Sequence, residues 1–182
     1  MTQAHALDIL KLGKNVFLTG AAGSGKTYVL NEYIGYLKKK HIPVAITAST
    51  GIAATHMQGK TIHSWAHIGI KESLSQADLA HMFAKKDVRK SIAEAKVLII
   101  DEVSMLHHFR LDMVNDVLQK MHGNNKPFGG IQVVLCGDLF QLPPVSRMTR
   151  AQYVTDAAIW NEMDIHICYL TEQHRQDDDA LI

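Results

Sequence analysis

Eight residues constrain this chain more than any others: Gly20 to Thr27, reading GAAGSGKT. The run fits G-x-x-x-x-G-K-[ST], a loop that cradles phosphate, with Gly20, Gly25, Lys26 and Thr27 at the required places. Glycine lets the backbone curl so that successive N–H groups point inward at phosphate oxygens. Lys26 supplies a point charge for the β- and γ-phosphates, and the Thr27 hydroxyl is suited to ligate Mg²⁺. The stretch before the loop, Asn15 to Thr19, is short, apolar and β-prone. After it, Leu30, Tyr33, Ile34 and Leu37 fall at helical spacing. A phosphate loop needs that strand–loop–helix setting, because the helix start adds its positive dipole end to the anion site. Gly20, Ala21, Ala22, Gly23, Ser24, Gly25, Lys26, Thr27 and Tyr28 are therefore the expected contacts to a nucleoside triphosphate.

Length and charge narrow the setting. The 182 residues suffice for one well-buried α/β domain with a small insertion. A net charge of +1 gives no sign of a nucleic-acid-coating tail, although a local binding groove depends on distribution, not on the total. No long apolar run suggests a signal sequence or membrane span, so the expected setting is intracellular, without membrane attachment. Cys136 and Cys168 each sit in an apolar run and read as buried, reduced thiols. The 11 histidines are scattered. His63 and His67 have i, i+4 spacing but lack the H-E-x-x-H carboxylate, which argues against a metal site there.

Taken in order, residues 2 to 12 read as a helix capped by Thr2 and stopped by Gly13. A buried strand is expected at Val44 to Ala48, running into Ser49-Thr50-Gly51. Gly59-Lys60-Thr61 mimics a phosphate loop but lacks the first glycine, since Ala54 stands in its place. Residues 69–96 read as a surface insertion of two short helices, and its cluster Lys85, Lys86, Arg89 and Lys90 as a solvated face. Val97 to Ile100 then delivers Asp101-Glu102. A parallel strand buried on both faces reads as a continuous apolar run, and its carboxyl end opens on the ligand crevice. There Asp101 is placed to hold Mg²⁺ and Glu102 to position or deprotonate an attacking water. A helix from Phe109 to His122 and strands at Ile131 to Cys136 and Ile165 to Leu170 complete the pattern. Gln141 follows the first of those strands and Arg175 the second, each at the expected ligand edge.

In combination these stretches resemble the first RecA-like domain of the petite-integration-frequency (PIF-type) DNA helicases, the RecD-related branch of helicase superfamily one. The resemblance spans nearly the whole chain: GAAGSGKT, TASTGIAA from Thr47, TIHSW from Thr61, VLIIDEVSM from Val97, GDLFQLPPV from Gly137 and LTEQHRQ from Leu170 occur in the family's order. It implies an α/β P-loop NTPase fold, mainly a parallel sheet flanked by helices. It implies ATP and Mg²⁺ as ligands, single-stranded DNA as partner, and 5′→3′ unwinding in replication, repair or recombination. By position, Gln3 resembles the family's adenine-reading glutamine, Gln141 the one that couples γ-phosphate state to the DNA, and Arg175 the arginine that reaches the γ-phosphate. Ser49, Thr50 and His63 fall in segments that contact the strand's backbone, with Phe140 near that path.

Family members carry a second RecA-like domain, which this sequence lacks. Asp177, Asp178 and Asp179 read as a helix start, yet the sequence stops three residues later, as expected of a truncated chain. The expected protein is a monomer, cytoplasmic if bacterial and nuclear or mitochondrial if eukaryotic. Two other readings stay open: a RecD or conjugative-relaxase type of helicase domain, and a nucleotide-controlled DNA-binding module that does not unwind.

Overall fold

A computed structural model describes residues 1–141, 144 and 152–171. Six strands form one sheet: β1 (Val16–Gly20), β2 (Val44–Ala48), β3 (Lys60–Thr61), β4 (Val97–Asp101), β5 (Gln132–Cys136) and β6 (His166–Leu170). Their order is β3-β2-β4-β5-β1-β6, and every ladder pair is parallel. The strand bearing the phosphate loop and the strand bearing the two carboxylates are thus separated by β5 alone.

Alternation along the strands explains why they read as unbroken apolar runs. Phe17, Leu98, Ile100, Val133 and Leu135 face one core cluster, while Val16, Leu18, Val97, Ile99, Val134 and Cys136 face the other. Helices cover both sides. On the second face lie α1 (Gln3–Lys11) and α2 (Lys26–Lys39), with Leu10, Leu30, Tyr33 and Leu37 buried; α3 (Gly51–His56) follows β2. The first face takes α4 (Ile62–Trp65), α5 (Gln76–Ala84), α6 (Lys86–Ala93) and α7 (His108–His122). Each fully buried Leu or Ile contributes roughly 1.5–3 kcal/mol, so two such layers fix the register of the sheet between them.

Local chemistry sets the element ends. Thr2, Thr50, Thr61 and Ser75 each accept a backbone N–H as helix N-caps, at 3.2, 3.3, 3.2 and 3.1 Å. Gly13 takes the left-handed φ of 77° expected of a helix stop. The segment 69–96 is indeed two helices. Expected on the surface, it also buries Leu79, Met82, Val88 and Ile92 in the same cluster as the central strands. The Gly59-Lys60-Thr61 mimic is an edge strand running into a helix cap. A side chain at Gly59 would meet the Ile46 carbonyl at 2.2 Å, so this glycine serves strand packing and no phosphate.

Residues 152–164, which carry no periodic signal, fold as two 3-10 turns, the first closed by Asp156 Oδ2 accepting from Tyr153 N at 2.8 Å and the second held by the Asp112 carboxylate on α7. It accepts from Ala158 N at 3.2 Å and Ile159 N at 2.9 Å. At the opposite end of the sheet from the phosphate loop, Gln132 joins three segments. Its oxygen accepts from the Tyr33 hydroxyl at 2.7 Å, and its nitrogen donates to Leu10 O at 3.0 Å and Lys14 O at 2.7 Å.

Burial pushes the Tyr33 phenol from 10.0 up to about 12, opposed by its bond to Gln132. A raised folded-state pKa contributes stability below pH 10 that is lost as pH climbs through 12. Tyr33→Phe should therefore cost about 1 kcal/mol at neutral pH, from the lost hydrogen bond, and flatten the alkaline fall in stability. Urea unfolding at pH 7 and across pH 9 to 12 tests both.

Candidate active site

The phosphate loop is closed over its own backbone. Gly20, Gly23 and Gly25 adopt φ values of 150°, 79° and 87°, a region that side chains strain to enter. At Gly25 a Cβ would lie 2.0 Å from Gln3 Nε2, and at Gly20 one would lie 2.8 Å from the Leu170 carbonyl. Lys26, at the start of α2, donates from Nζ to Gly20 O at 2.7 Å and Ala21 O at 3.0 Å. The ammonium thus lies across the cradle where a phosphate would seat, and the loop carbonyls hold it there. Ser24 is buried, and its hydroxyl has no hydrogen-bond partner among the described residues. Thr27 and Tyr28 are exposed beside the loop. Gln3, on the first turn of α1, donates to Ser24 O at 3.1 Å. The position expected to read a base therefore also braces the phosphate loop.

Across β5 stand the carboxylates. Asp101 Oδ1 accepts the backbone N–H of Glu102 at 2.9 Å, and Glu102 takes a left-handed φ of 54°. Non-glycine residues in that region carry about 1–3 kcal/mol of strain, and such strain clusters at functional sites. Partial burial raises the Glu102 carboxyl above its ordinary value; Asp101 and Asp138 push the same way, and Lys26 opposes them. Lys26, Asp101, Glu102 and Asp138 therefore share one electrostatic neighbourhood at the carboxyl ends of β1, β4 and β5.

That donor set suits a Mg²⁺ bound together with a nucleotide. Among the described residues no cluster of three or more His, Cys, Asp or Glu forms a metal cage. Mg²⁺ commonly uses one or two carboxylates and leaves its other positions to phosphate and water. Asp101 and the exposed Thr27 hydroxyl meet that need.

Several residues prominent in the sequence acquire a second connection here. Ser49 donates from Oγ to the Glu102 carbonyl at 2.5 Å and from its backbone N to Asp101 O at 3.0 Å. A residue expected to touch the strand is thus bonded to the carboxylate turn. The Thr50 hydroxyl caps α3, and Ile52 just after it is 77% exposed. His63 is half-buried on α4, its imidazole lowered by burial, then by Arg110 and His107. Phe140 is 94% exposed, an aromatic ring without cover at the sheet's edge. Its backbone N donates to Asp138 Oδ1 at 3.0 Å, and Gln141 N donates to Asp138 O at 3.0 Å. Arg175 lies outside the described residues, as do Leu142, Pro143 and Val145 of the GDLFQLPPV run.

Two contributions to the site were not read from the sequence. Asp138 is 9% exposed and joins the Phe140–Gln141 turn to Glu102; its position after a buried strand was the available signal. Cys136, as expected, is a buried free thiol, and burial followed by the nearby Asp101 carboxylate pushes its pKa well up.

Comparison with known proteins places this geometry. The sequence model of PIF1-like helicases matches residues 2–181. The chain is 59% identical over 179 residues to the ATP-dependent DNA helicase Pif1 of Psychrobacter sp. (strain PRwf-1), covering 97% of this chain and 27% of that protein. It is 38% identical to the ATP-dependent DNA helicase RRM3 of Saccharomyces cerevisiae, covering 96% and 25%. The crystal structure of Pif1 helicase from Candida albicans superposes with a TM-score of 0.89 at 36% identity, over 97% of this chain and 40% of that one. A Bacteroides Pif1 helicase in complex with ADP-AlF3 and ssDNA superposes at 0.82 with 31% identity, over 98% and 44%. The chain spans about a quarter of the length of the curated relatives it matches. With the family model matched over residues 2–181 and these identities, the chain belongs to the PIF1-like helicase family.

Proposed function

We propose that this chain is the ATP-binding and ATP-hydrolysing motor domain of an ATP-dependent 5′→3′ DNA helicase that acts on single-stranded DNA as a monomer. The observation that carries the reading is the convergence of Lys26, Asp101 and Glu102 on one sheet edge, with Ser49 bonded directly to the Glu102 turn. The relatives named as helicases, and the Bacteroides protein with ADP-AlF3 and ssDNA, support it.

In this reading ATP enters with its phosphates on the loop N–H groups. Lys26 leaves the Gly20 and Ala21 carbonyls and pairs with the β- and γ-phosphates. Thr27 and Asp101 would hold Mg²⁺, which supplies neutralisation of the phosphate charge. Glu102 orients a water for in-line attack and takes up its proton, and Arg175 supplies positive charge at the γ-phosphate. Gln3 bonds the base edge, and Tyr28 lies beside the nucleotide. Gln141, anchored through Asp138, senses the γ-phosphate. The state of that phosphate then reaches the strand contacts Ser49 and Thr50 through the Glu102 turn, and Phe140 through Asp138. His63 extends the strand path. A second RecA-like domain in the full-length protein would complete the nucleotide cleft and the strand track.

Hydrolysis by the full-length protein should rise many-fold with single-stranded DNA. Glu102→Gln should keep nucleotide binding and lose about 10²–10⁴ in turnover, whereas Lys26→Ala should lose both. Wild-type turnover in either variant would overturn the assignment. Gly25→Ala tests the loop itself. At a φ of 87° with Gln3 in the way, about 1–3 kcal/mol of strain should weaken nucleotide affinity ~5-fold or more. Titration with a fluorescent nucleotide measures that loss, and a melting curve checks that the fold survives.

A further inference from the structure

Outside the nucleotide site, one pocket is rich in positive charge. It lies between the α4–α5 loop and helix α5, has a volume of about 210 Å³, and is lined by His67, Lys71, His81 and Lys85 around a floor that includes Leu74 and Met82. Asp78 is its carboxylate, and that group is already committed. It closes the capping box of α5 with Ser75 and pairs with the Lys71 ammonium. Lys60, on edge strand β3, acts electrostatically on His67 from the side, together with Lys85. Among the described residues neither Lys60 nor Lys85 has a carboxylate within ion-pairing distance.

The pocket is held in shape from beneath. Arg110 on α7 is 8% exposed, and its guanidinium donates to three successive carbonyls of the pocket loop. It reaches Gly69 O at 3.1 Å, Ile70 O at 3.0 Å and Lys71 O. The loop is also joined to the expected strand path, because the His63 carbonyl accepts from Ile68 N at 3.1 Å and Gly69 N at 3.3 Å. His67 is exposed at the rim. Its imidazole is lowered by the partial burial of the ring, then by Lys60 and Lys85. Cations that crowd one another around an open space are relieved by an anion placed within it.

We propose that this pocket binds a backbone phosphate of the nucleic-acid strand, carrying the strand's path past His63 and off the β3 edge of the sheet. Lys85 and Lys60 supply the charge, His67 and His81 the hydrogen bonds, and the apolar floor a surface for the sugar. The inference rests on the single-strand reading given above. It makes the start of the 69–96 segment part of the strand track, where the basic residues looked like solvated surface.

The test is the salt dependence of single-strand binding by the full-length protein. Each phosphate contact on a single strand contributes about −0.7 to the slope of log K against log salt. Lys85→Glu should weaken binding and reduce the magnitude of that slope by about 0.7 or more, while leaving DNA-free ATP hydrolysis unchanged. Glu suits the N-terminal boundary of α6, so the fold tolerates it. Lys86→Glu makes the same charge change one residue away, outside the pocket lining, and should alter the slope less. Equal slopes for wild type and Lys85→Glu, or equal losses in the two variants, would overturn the proposal. If inorganic phosphate alone shifts the His67 ring resonances while the slope stays unchanged, the pocket takes free phosphate and the strand assignment falls. Failure of the wild-type protein to bind single strands at all would remove the single-strand reading, and this inference with it.

Discussion

Burial of the sheet on both faces is the constraint from which the rest of the structure follows. With apolar layers above and below, β1, β4 and β5 are apolar along most of their lengths, and their polar groups gather at the strand ends. At the carboxyl ends the chain must turn. It does so through Gly20, through the left-handed Glu102, and through Gly137-Asp138. The register of the ladders then determines how the phosphate loop, the carboxylate pair and the Asp138 turn face one another. The hydrophobic layers contribute nothing chemical, but they hold these turns in place while the turns carry strain.

In the proposed function the same edge joins two tasks. Ser49, at the exit of β2, bonds the Glu102 carbonyl at 2.5 Å, so the proposed strand contact and the proposed hydrolytic residue share one turn. Asp138 plays the matching part on the other side, accepting from Phe140 while repelling Glu102. Changing the charge at the carboxylates would alter the balance on both. Lys26 has its own two arrangements, one against the loop carbonyls in this structure and one against phosphate in the proposed reaction. A site built of such paired options is suited to transmit the state of a nucleotide.

Much of this was legible because each motif sits where a strand ends. GAAGSGKT and VLIIDE announce both the fold and the chemistry, since only a buried strand gives a continuous apolar run and only a turn at its end tolerates such residues. The resemblance to the PIF-type helicases, read from six ordered stretches, is what the comparisons bear out. The two 3-10 turns at 152–164 were not legible. The second depends on Asp112, a carboxylate distant in sequence that accepts from Ala158 and Ile159. Nor did spacing show that Arg110 would lie buried beneath the 69–71 loop, because three carbonyl bonds to one guanidinium leave no periodic mark. Asp138, and the approach of Cys136 to Asp101, were hidden for a related reason: both depend on strands adjacent in the sheet but far apart in the chain.

In the proposed function, nucleotide and single strand act on the same sheet edge. The most direct measurement is single-strand affinity of the full-length protein with and without a non-hydrolysable ATP analogue, paired with analogue affinity with and without the strand. A shared edge predicts that each ligand changes the other's dissociation constant by the same factor, about 5–150-fold for coupling of ordinary strength. Dissociation constants that do not respond to the second ligand would contradict it, leaving two independent sites on one sheet.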